Sequence, residues 1–140
     1  MKTELLKGKE ILLDKGYTCI LFNDKNLIFS NSRGVKPLLE FLESGKDFSG
    51  FLAVDKVVGK GASMLYILLK VKAVYALTIS QPAYEILVKN GIEVFYDNKV
   101  KNIVNRLKDG LCPIEECVLD CDDPTLSLEL IRKKLTSLGA

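Results

Sequence analysis

The sequence predicts an α/β fold in which a mixed sheet lies between two layers of helices. Three observations support this prediction. Two short apolar segments joined by a polar turn near the N-terminus indicate an antiparallel hairpin. Strand-like and helix-like segments then alternate along the rest of the chain, which is typical of parallel strands with helical connections. The 140 residues contain no internal repeat and no long linker, so one domain spanning residues 1–140 is expected.

The first half of the chain contains the predicted hairpin between two helices. Gly16 suits the end of the first helix, and Pro37 suits the first turn of the second. The polar residues 23–26 predict the hairpin turn, because their neighbours on both sides are rich in β-branched and aromatic side chains. The predicted elements are a helix over 4–15, strands over 17–22 and 27–30, and a helix over 35–43.

The second half alternates between the two kinds of element. The segment 57–71 is apolar on nearly every side, which indicates a helix that is buried on more than one face. Asp123 and Pro124 suit the start of the last helix. A turn is predicted at 97–98, and an irregular segment over 110–122. The predicted elements are strands over 51–54, 73–80 and 92–96, and helices over 57–71, 82–89, 100–107 and 125–138.

Composition excludes several classes of function. Histidine is absent, which excludes Ser-His-Asp and Cys-His catalysis and imidazole metal ligands. The net charge of +2 is too small to indicate a nucleic-acid partner. No apolar segment approaches the ~20 residues of a membrane helix, and the N-terminus lacks the apolar core of a signal peptide. A cytoplasmic protein with reduced cysteines and no membrane association is therefore expected.

The segment from Phe51 to Ser63 is the strongest candidate for a functional site. It predicts a strand that runs directly into a helix, where free backbone N–H groups and the helix dipole favour a negatively charged group. Ligands of open α/β sheets bind beyond the carboxyl ends of the strands. We therefore expect an unidentified small molecule there, with Lys56 or Lys60 holding its anionic group. The predicted ligand-binding residues are Asp55, Lys56, Gly59, Lys60 and Ser80.

Two other interpretations of this junction are available. Gly59 and Lys60 resemble the end of a phosphate-binding P-loop, but Val54 and Gly61 stand where that motif needs glycine and a hydroxyl residue. A Walker-type ATPase is therefore not predicted. Alternatively, Asp55 is only the N-cap of the helix, and the glycines allow the helix to pack closely against the sheet.

The order of the elements, with Asp55-Lys-Val-Val-Gly-Lys60 at one helix start and Ser80-Gln-Pro82-Ala83 at the next, resembles the cytidine deaminase-like fold. More narrowly, the chain resembles an uncharacterised bacterial family assigned to that fold, from about residue 17 to residue 117. The segments that carry this narrower resemblance are 52–60, 74–80, Asn105-Arg106 and 112–115. The resemblance implies a deaminase-like α/β/α arrangement, and it implies no established activity.

The same resemblance implies that the catalytic zinc of true deaminases is missing. Those enzymes place a His or Cys ligand and a proton-shuttling glutamate at the first helix start, where this chain has Asp55 and Val57. At the second helix start, Ala83 and Ile86 stand where the two zinc-binding cysteines belong. Zinc-dependent deamination is therefore not expected, and neither a metal nor another cofactor is predicted.

Three cysteines near the C-terminus support a rival hypothesis. Cys112, Cys117 and Cys121 do not have the paired spacing of a zinc site. Cys112 is a candidate nucleophile, with Glu115 or Glu116 and a lysine as proton-transfer partners, and Asp55 is a second candidate catalytic residue. The simpler alternative is that the cysteines are small buried apolar residues.

Two further predictions concern the ligand and the partners. Arg106, next to Asn105, is predicted to bind a carboxylate or phosphate of the ligand, although a surface salt bridge would also explain it. A third class of function is a structural or regulatory subunit that binds no ligand. The apolar content and the fold resemblance favour a homo-oligomer.

Overall fold

A computed structural model describes residues 1–32, 34–104 and 110–139 of the chain. Six helices and five strands lie within these ranges. The helices are α1 (Lys2–Lys15), α2 (Lys36–Glu43), α3 (Lys60–Leu69), α4 (Gln81–Lys89), α5 (Pro113–Cys117) and α6 (Pro124–Ser137). The strands are β1 (Cys19–Phe22), β2 (Leu27–Ser30), β3 (Leu52–Val58), β4 (Ala73–Ser80) and β5 (Glu93–Val100).

The five strands form one mixed sheet in the order β2-β1-β3-β4-β5. Strand β1 pairs antiparallel with both β2 and β3, whereas β3, β4 and β5 are parallel to one another. The predicted hairpin and the predicted α/β class with a mixed sheet are therefore confirmed.

Helices cover both faces of the sheet. The successive residues Ala53 and Val54 of β3 belong to different apolar clusters, because adjacent side chains of a strand point to opposite faces. Leu5 and Leu12 of α1 are fully buried in the cluster that contains Val54. Helices α2, α3, α4 and α6 contribute to the other and larger cluster. The large apolar content of α3 follows from its place there, in contact with α2, α4 and α6.

Strand β3 is longer than predicted, and this changes the position of Asp55. The prediction ended the strand at Val54 and began the helix at Val57. In the structure, Val57 and Val58 continue the parallel pairing with β4, and α3 begins at Lys60 with Gly59 as its N-cap. The β-branched valines favour the extended strand. Asp55 is therefore a residue of the strand, and its interpretation as a helix N-cap is wrong.

Strand β5 also exceeds its prediction. The expected turn at 97–98 does not form, because Asn98, Lys99 and Val100 pair with β4. The expected helix over 100–107 is wrong in its first part, since Val100 lies in β5 and Val104 forms an isolated bridge with Leu111. Its last residues, 105–107, lie outside the described residues.

The C-terminal segment contains one short helix that was not predicted. Residues 110–122 were expected to be irregular, but Pro113–Cys117 form α5. The predicted start of the last helix is confirmed, because the Asp123 carboxylate accepts hydrogen bonds from the backbone N–H groups of Thr125 and Leu126. Across the described ranges, the helices are all too short or too polar to cross a membrane.

Candidate functional site

A cavity of about 630 Å³ lies between the sheet, the start of α3 and the segment that contains α5. Two cysteines, Cys19 and Cys112, belong to its wall. The other polar lining residues are Thr18, Ser32, Asp55, Lys56 and Glu115, and the apolar ones include Val35, Val57, Ala62, Ile103, Val104 and Ile114. The cavity therefore combines a mostly apolar wall with a few polar groups, which is typical of small-molecule sites.

The carboxylate of Glu115 caps the N-terminus of α3. Its Oε1 accepts a hydrogen bond of 2.7 Å from the backbone N–H of Lys60, and its Oε2 accepts one of 2.9 Å from that of Gly61. The side chain is buried, and a helix N-terminus stabilises negative charge. The sequence predicts an anionic group of a ligand at this helix start. In the structure, the carboxylate of Glu115 occupies that position instead.

The two glycines of the Gly59-Lys60-Gly61 triplet make room for this contact. A Cβ at position 59 would lie 2.5 Å from both carboxylate oxygens of Glu115, and one at position 61 would lie 2.6 Å from Cγ2 of Ile114. Both distances are far below van der Waals contact. The glycines therefore allow α5 to pack closely onto α3. The interpretation from the sequence, in which they allow α3 to pack closely onto the sheet, is replaced by this contact.

Asp55 belongs to a buried hydrogen-bonded network of three side chains. Its Oδ2 accepts a hydrogen bond of 2.6 Å from the hydroxyl of Tyr66, and that hydroxyl lies 3.2 Å from Sγ of Cys19. The Oδ1 of Asp55 accepts a bond of 3.2 Å from the backbone N–H of Val57. Asp55 is 8% exposed, and Tyr66 is completely buried.

Burial changes the protonation behaviour of all three groups. Desolvation raises the pKa of Asp55 to about 7, against the opposing effect of hydrogen bonds from Tyr66 and from the backbone N–H of Val57. Desolvation and the nearby Asp55 carboxylate also raise the pKa values of Tyr66 and Cys19 well above their ordinary values. Asp55 is therefore the member of this three-residue network that can change its charge near neutral pH.

The structure brings together four of the predicted site residues. Asp55, Lys56, Gly59 and Cys112 all line the cavity. Lys56 is exposed, whereas Cys112 is partly buried and immediately precedes α5. The two candidate catalytic residues of the sequence analysis, Cys112 and Asp55, thus line the same cavity.

Two predicted ligand-binding residues lie elsewhere and have structural contacts. The Nζ of Lys60 donates to the carbonyl oxygen of Leu119 at 3.0 Å and forms an ion pair with Asp122 at 2.8 Å. Ser80 is fully buried, and its Oγ accepts a hydrogen bond from the backbone N–H of Ala83, so it caps α4. Neither side chain lines the cavity.

The remaining candidates have separate positions. Arg106 lies outside the described residues. Cys117 donates to the carbonyl oxygen of Ile114, and Cys121 accepts from the hydroxyl of Ser127, so both thiols have partners within the C-terminal segment. Among residues 1–32, 34–104 and 110–139, no three acidic or cysteine side chains are grouped so that they could hold a metal ion.

Sequence reasoning missed two members of the site and misjudged a third. Cys19 lies in the predicted strand over 17–22 and Tyr66 in the predicted helix over 57–71, and neither pattern marks a site residue. The signal for Tyr66 was available, because a buried phenol needs a hydrogen-bond partner, but its partner cannot be identified without the register of β1, β3 and α3. Glu115 was considered as a proton-transfer group, and no local pattern indicates that it caps a helix 54 residues earlier.

A family model and a solved structure both match most of the chain. The model of the family TM1506, a domain of unknown function (DUF1893), matches residues 7–135. The structure is similar to that of a DUF1893 family protein (TM1506) from Thermotoga maritima, with 28% identity and a TM-score of 0.86, over 98% of this chain and 91% of that one.

The other two results are a weaker structural match and a search of curated proteins that found no match. A weaker structural similarity is to the dCMP deaminase of the cyanophage S-TIM5. It has 16% identity and a TM-score of 0.42, over 59% of this chain and 78% of that one. No curated protein matches the sequence.

Proposed function

The chain belongs to the TM1506 family, a domain of unknown function (DUF1893), and we propose that it binds a small organic molecule in the cavity beside Asp55. The observation that carries the proposal is a buried carboxyl group in the wall of a cavity of about 630 Å³. A buried carboxylate is costly unless polar partners compensate for its lost hydration. Pockets of ~300–1,000 Å³ with a few polar groups in an apolar wall are the usual binding sites of small molecules.

The arrangement of charge limits how an anionic or nucleotide-like ligand would bind. The N-terminus of α3 already holds the carboxylate of Glu115, and the ammonium group of Lys60 is paired with Asp122. Among the described residues that line the cavity, Lys56 is the one with a positively charged side chain. An anionic group of the ligand would therefore contact Lys56, while its uncharged part enters the apolar region of the cavity.

Calorimetric titration with nucleosides and their monophosphates tests this proposal. At least one compound is expected to bind, and Lys56→Ala should weaken the binding of the phosphorylated form about fivefold more than that of the nucleoside, since one exposed charge pair is worth up to ~1 kcal/mol. Lys25→Ala, an exposed lysine in the turn between β1 and β2, is the matched control. If no nucleoside, nucleotide or member of a broad metabolite panel binds or raises the melting temperature, the proposal fails.

A thiol-dependent enzyme is the second candidate, because Cys112 and Asp55 line the same cavity. In this proposal Asp55, when ionised, accepts the proton of the Cys112 thiol, and the thiolate adds to a carbonyl carbon of the substrate. The π electrons of the carbonyl group move to its oxygen, which then takes the proton back from Asp55. Glu115 is less suited to this role than the sequence indicated, since both of its carboxylate oxygens are bound to α3. Glu116 is exposed and does not line the cavity.

Alkylation with iodoacetamide distinguishes the two candidates. A nucleophilic Cys112 should react about tenfold faster than Cys121, which is also partly exposed, and Asp55→Asn should slow only the reaction of Cys112. Equal rates for the two cysteines would argue against the enzyme. A protein that neither binds a small molecule nor has a reactive Cys112 would instead fit the third class, a structural or regulatory subunit.

A further inference from the structure

We propose that the ligand of this cavity carries a nitrogen-borne proton, as in an amidinium, an ammonium or an amino-substituted heterocycle, and donates it in a hydrogen bond to the Asp55 carboxylate. This inference rests on the proposed function and adds the chemical class that the Asp55 side of the cavity recognises. It concerns a different part of the ligand from the anionic group that Lys56 would contact.

The first support is the hydrogen bonding of Asp55. Within the described residues its side chain accepts one bond from Tyr66 and one from the backbone of Val57. An ionised carboxylate can accept about four bonds, so capacity remains for a donor that enters from the cavity. A ligand carboxylate or phosphate in the same place would instead be repelled and would lack a proton to share.

The second support is the distribution of charge around the cavity. Two lining carboxylates, Asp55 and Glu115, face one exposed lysine, Lys56. The negative charge of Glu115 is already balanced by two backbone N–H groups at the positive end of a helix dipole. Asp55 also accepts two hydrogen bonds, but it lies inside a strand and not at the positive end of a helix. Its charge is therefore the one that a cationic or N–H-rich group would stabilise.

The third support is the position of Tyr66 between Asp55 and Cys19. A hydroxyl group donates one hydrogen bond and accepts others. When Asp55 is ionised, Tyr66 donates to it and can accept from the Cys19 thiol. When Asp55 is protonated, its own proton can be donated to Tyr66, which then turns its hydroxyl towards Cys19. This hydrogen-bonded network can therefore keep the hydroxyl proton of Tyr66 donated in both charge states of Asp55.

This arrangement predicts that binding releases a proton. A cationic ligand binds the ionised form, so a protonated Asp55 must first lose its proton to solvent. The titratable groups around Asp55 are Tyr66 of α3, Cys19 of β1, Lys56 of β3, and Cys112 and Glu115 of the C-terminal segment. Burial raises the pKa values of Tyr66 and Cys19, so both stay neutral between about pH 5.5 and pH 8 while Asp55, with a pKa of about 7, ionises.

Three probes of equal shape test the inference. Benzamidinium, benzamide and benzoate share one ring and differ in charge, and their affinities can be measured by NMR titration of the ¹⁵N-labelled protein. Benzamidinium should bind best, and about tenfold or more weaker at pH 5.5 than at pH 8, because only a few per cent of Asp55 is then ionised. Asp55→Asn should remove both the preference and its pH dependence, whereas Asp24→Asn, in the exposed hairpin turn, should change neither.

Calorimetry on the unaltered protein gives a readout that does not depend on how well Asp55→Asn folds. In buffers of different ionisation enthalpy at about pH 6, benzamidinium binding should release close to one proton. Benzoate binding as tightly as benzamidinium, or binding without proton release, overturns the inference. If the three probes fail to bind while a nucleotide does, the inference falls and the proposed function stands. If every compound fails, both fall.

Discussion

The carboxylate of Glu115 occupies the space that a side chain at position 59 would need. Gly59 has an extended backbone that any residue can adopt, so its small size is required by this contact and not by its φ angle. Glu115 in turn bonds the first two N–H groups of α3. The glycine, the helix start and the α5 segment thus form one structural unit beside the cavity.

Gly59→Ala should destabilise the protein by about 2–4 kcal/mol, because the new methyl group displaces a buried, hydrogen-bonded carboxylate. Urea denaturation measures the loss. In a Glu115→Ala background, where the obstructing carboxylate is gone, the same substitution should cost only a few tenths of a kcal/mol. Equal costs in the two backgrounds would show that the contact does not determine the residue at position 59.

Glu115→Gln should lower the free energy of unfolding by about 1–3 kcal/mol. The amide group keeps one acceptor but presents a donor to the second backbone N–H, and the favourable charge at the helix start is lost. Glu116→Gln is the matched control, because this neighbouring glutamate is exposed and should tolerate the change. A similar loss of stability in both variants would contradict the capping role.

Lys60→Met and Lys56→Met should separate stability from binding. Lys60 is 7% exposed, and its bond to the carbonyl of Leu119 is worth about 1 kcal/mol. Its loss should lower stability while leaving the affinity of the cavity unchanged. Lys56 is exposed and lines the cavity, so Lys56→Met should weaken ligand binding and leave the free energy of unfolding unchanged. Denaturation and ligand titration of both variants check this, and weaker binding in Lys60→Met with full stability would contradict it.

The stability of the protein should fall as pH rises from about 5 to about 8. Asp55 has its ordinary pKa of 3.8 when unfolded and about 7 when folded, so the folded state holds an extra proton between these two values and loses it as the pH rises through about 7. The loss amounts to roughly 2–4 kcal/mol. The chain has no histidine to add a second titration there. Lowered pKa values move the titration of Asp47, Asp97 and Asp122 below the window.

Asp55→Asn should abolish this pH dependence, because an amide cannot ionise. Urea denaturation at pH 5.5 and pH 8 compares the two proteins, with Asp24→Asn as the exposed control. The midpoint of the unaltered protein should be lower at pH 8, and that of Asp55→Asn should be the same at both. An equal pH dependence in both proteins would mean that another group titrates.

Most of the fold could be predicted from the sequence, because it is carried by local patterns. The hairpin, the alternation after it and the cap at Asp123 all depend on residues that are close together in the chain. The lengths of β3 and β5 could not be predicted, since the pairing of Val57 and Asn98 depends on the neighbouring strand β4. The local pattern favours a turn at 97–98, but pairing with β4 overrides this preference.

The sequence singled out the strand–helix junction, but it did not indicate how the side chains around it are arranged. Asp55, Lys56, Gly59 and Cys112 line one cavity, and nothing in the sequence indicated that the thiol lies near the junction. The direction of the Lys60 side chain was not predictable, because its partners Leu119 and Asp122 lie about 60 residues further along the chain. The same holds for Glu115, whose role is set by how α5 packs onto α3.

The cap of α3 has a consequence for the order of events during synthesis. Glu115 lies 55 residues beyond Lys60, so the helix start emerges from the ribosome long before its carboxylate does. Until then the first N–H groups of α3 and the space above Gly59 face solvent, and the cavity lacks the wall that contains Cys112 and Ile114. Contacts of such long sequence separation form late in folding. A nascent chain therefore completes its cavity only after the C-terminal segment has been translated.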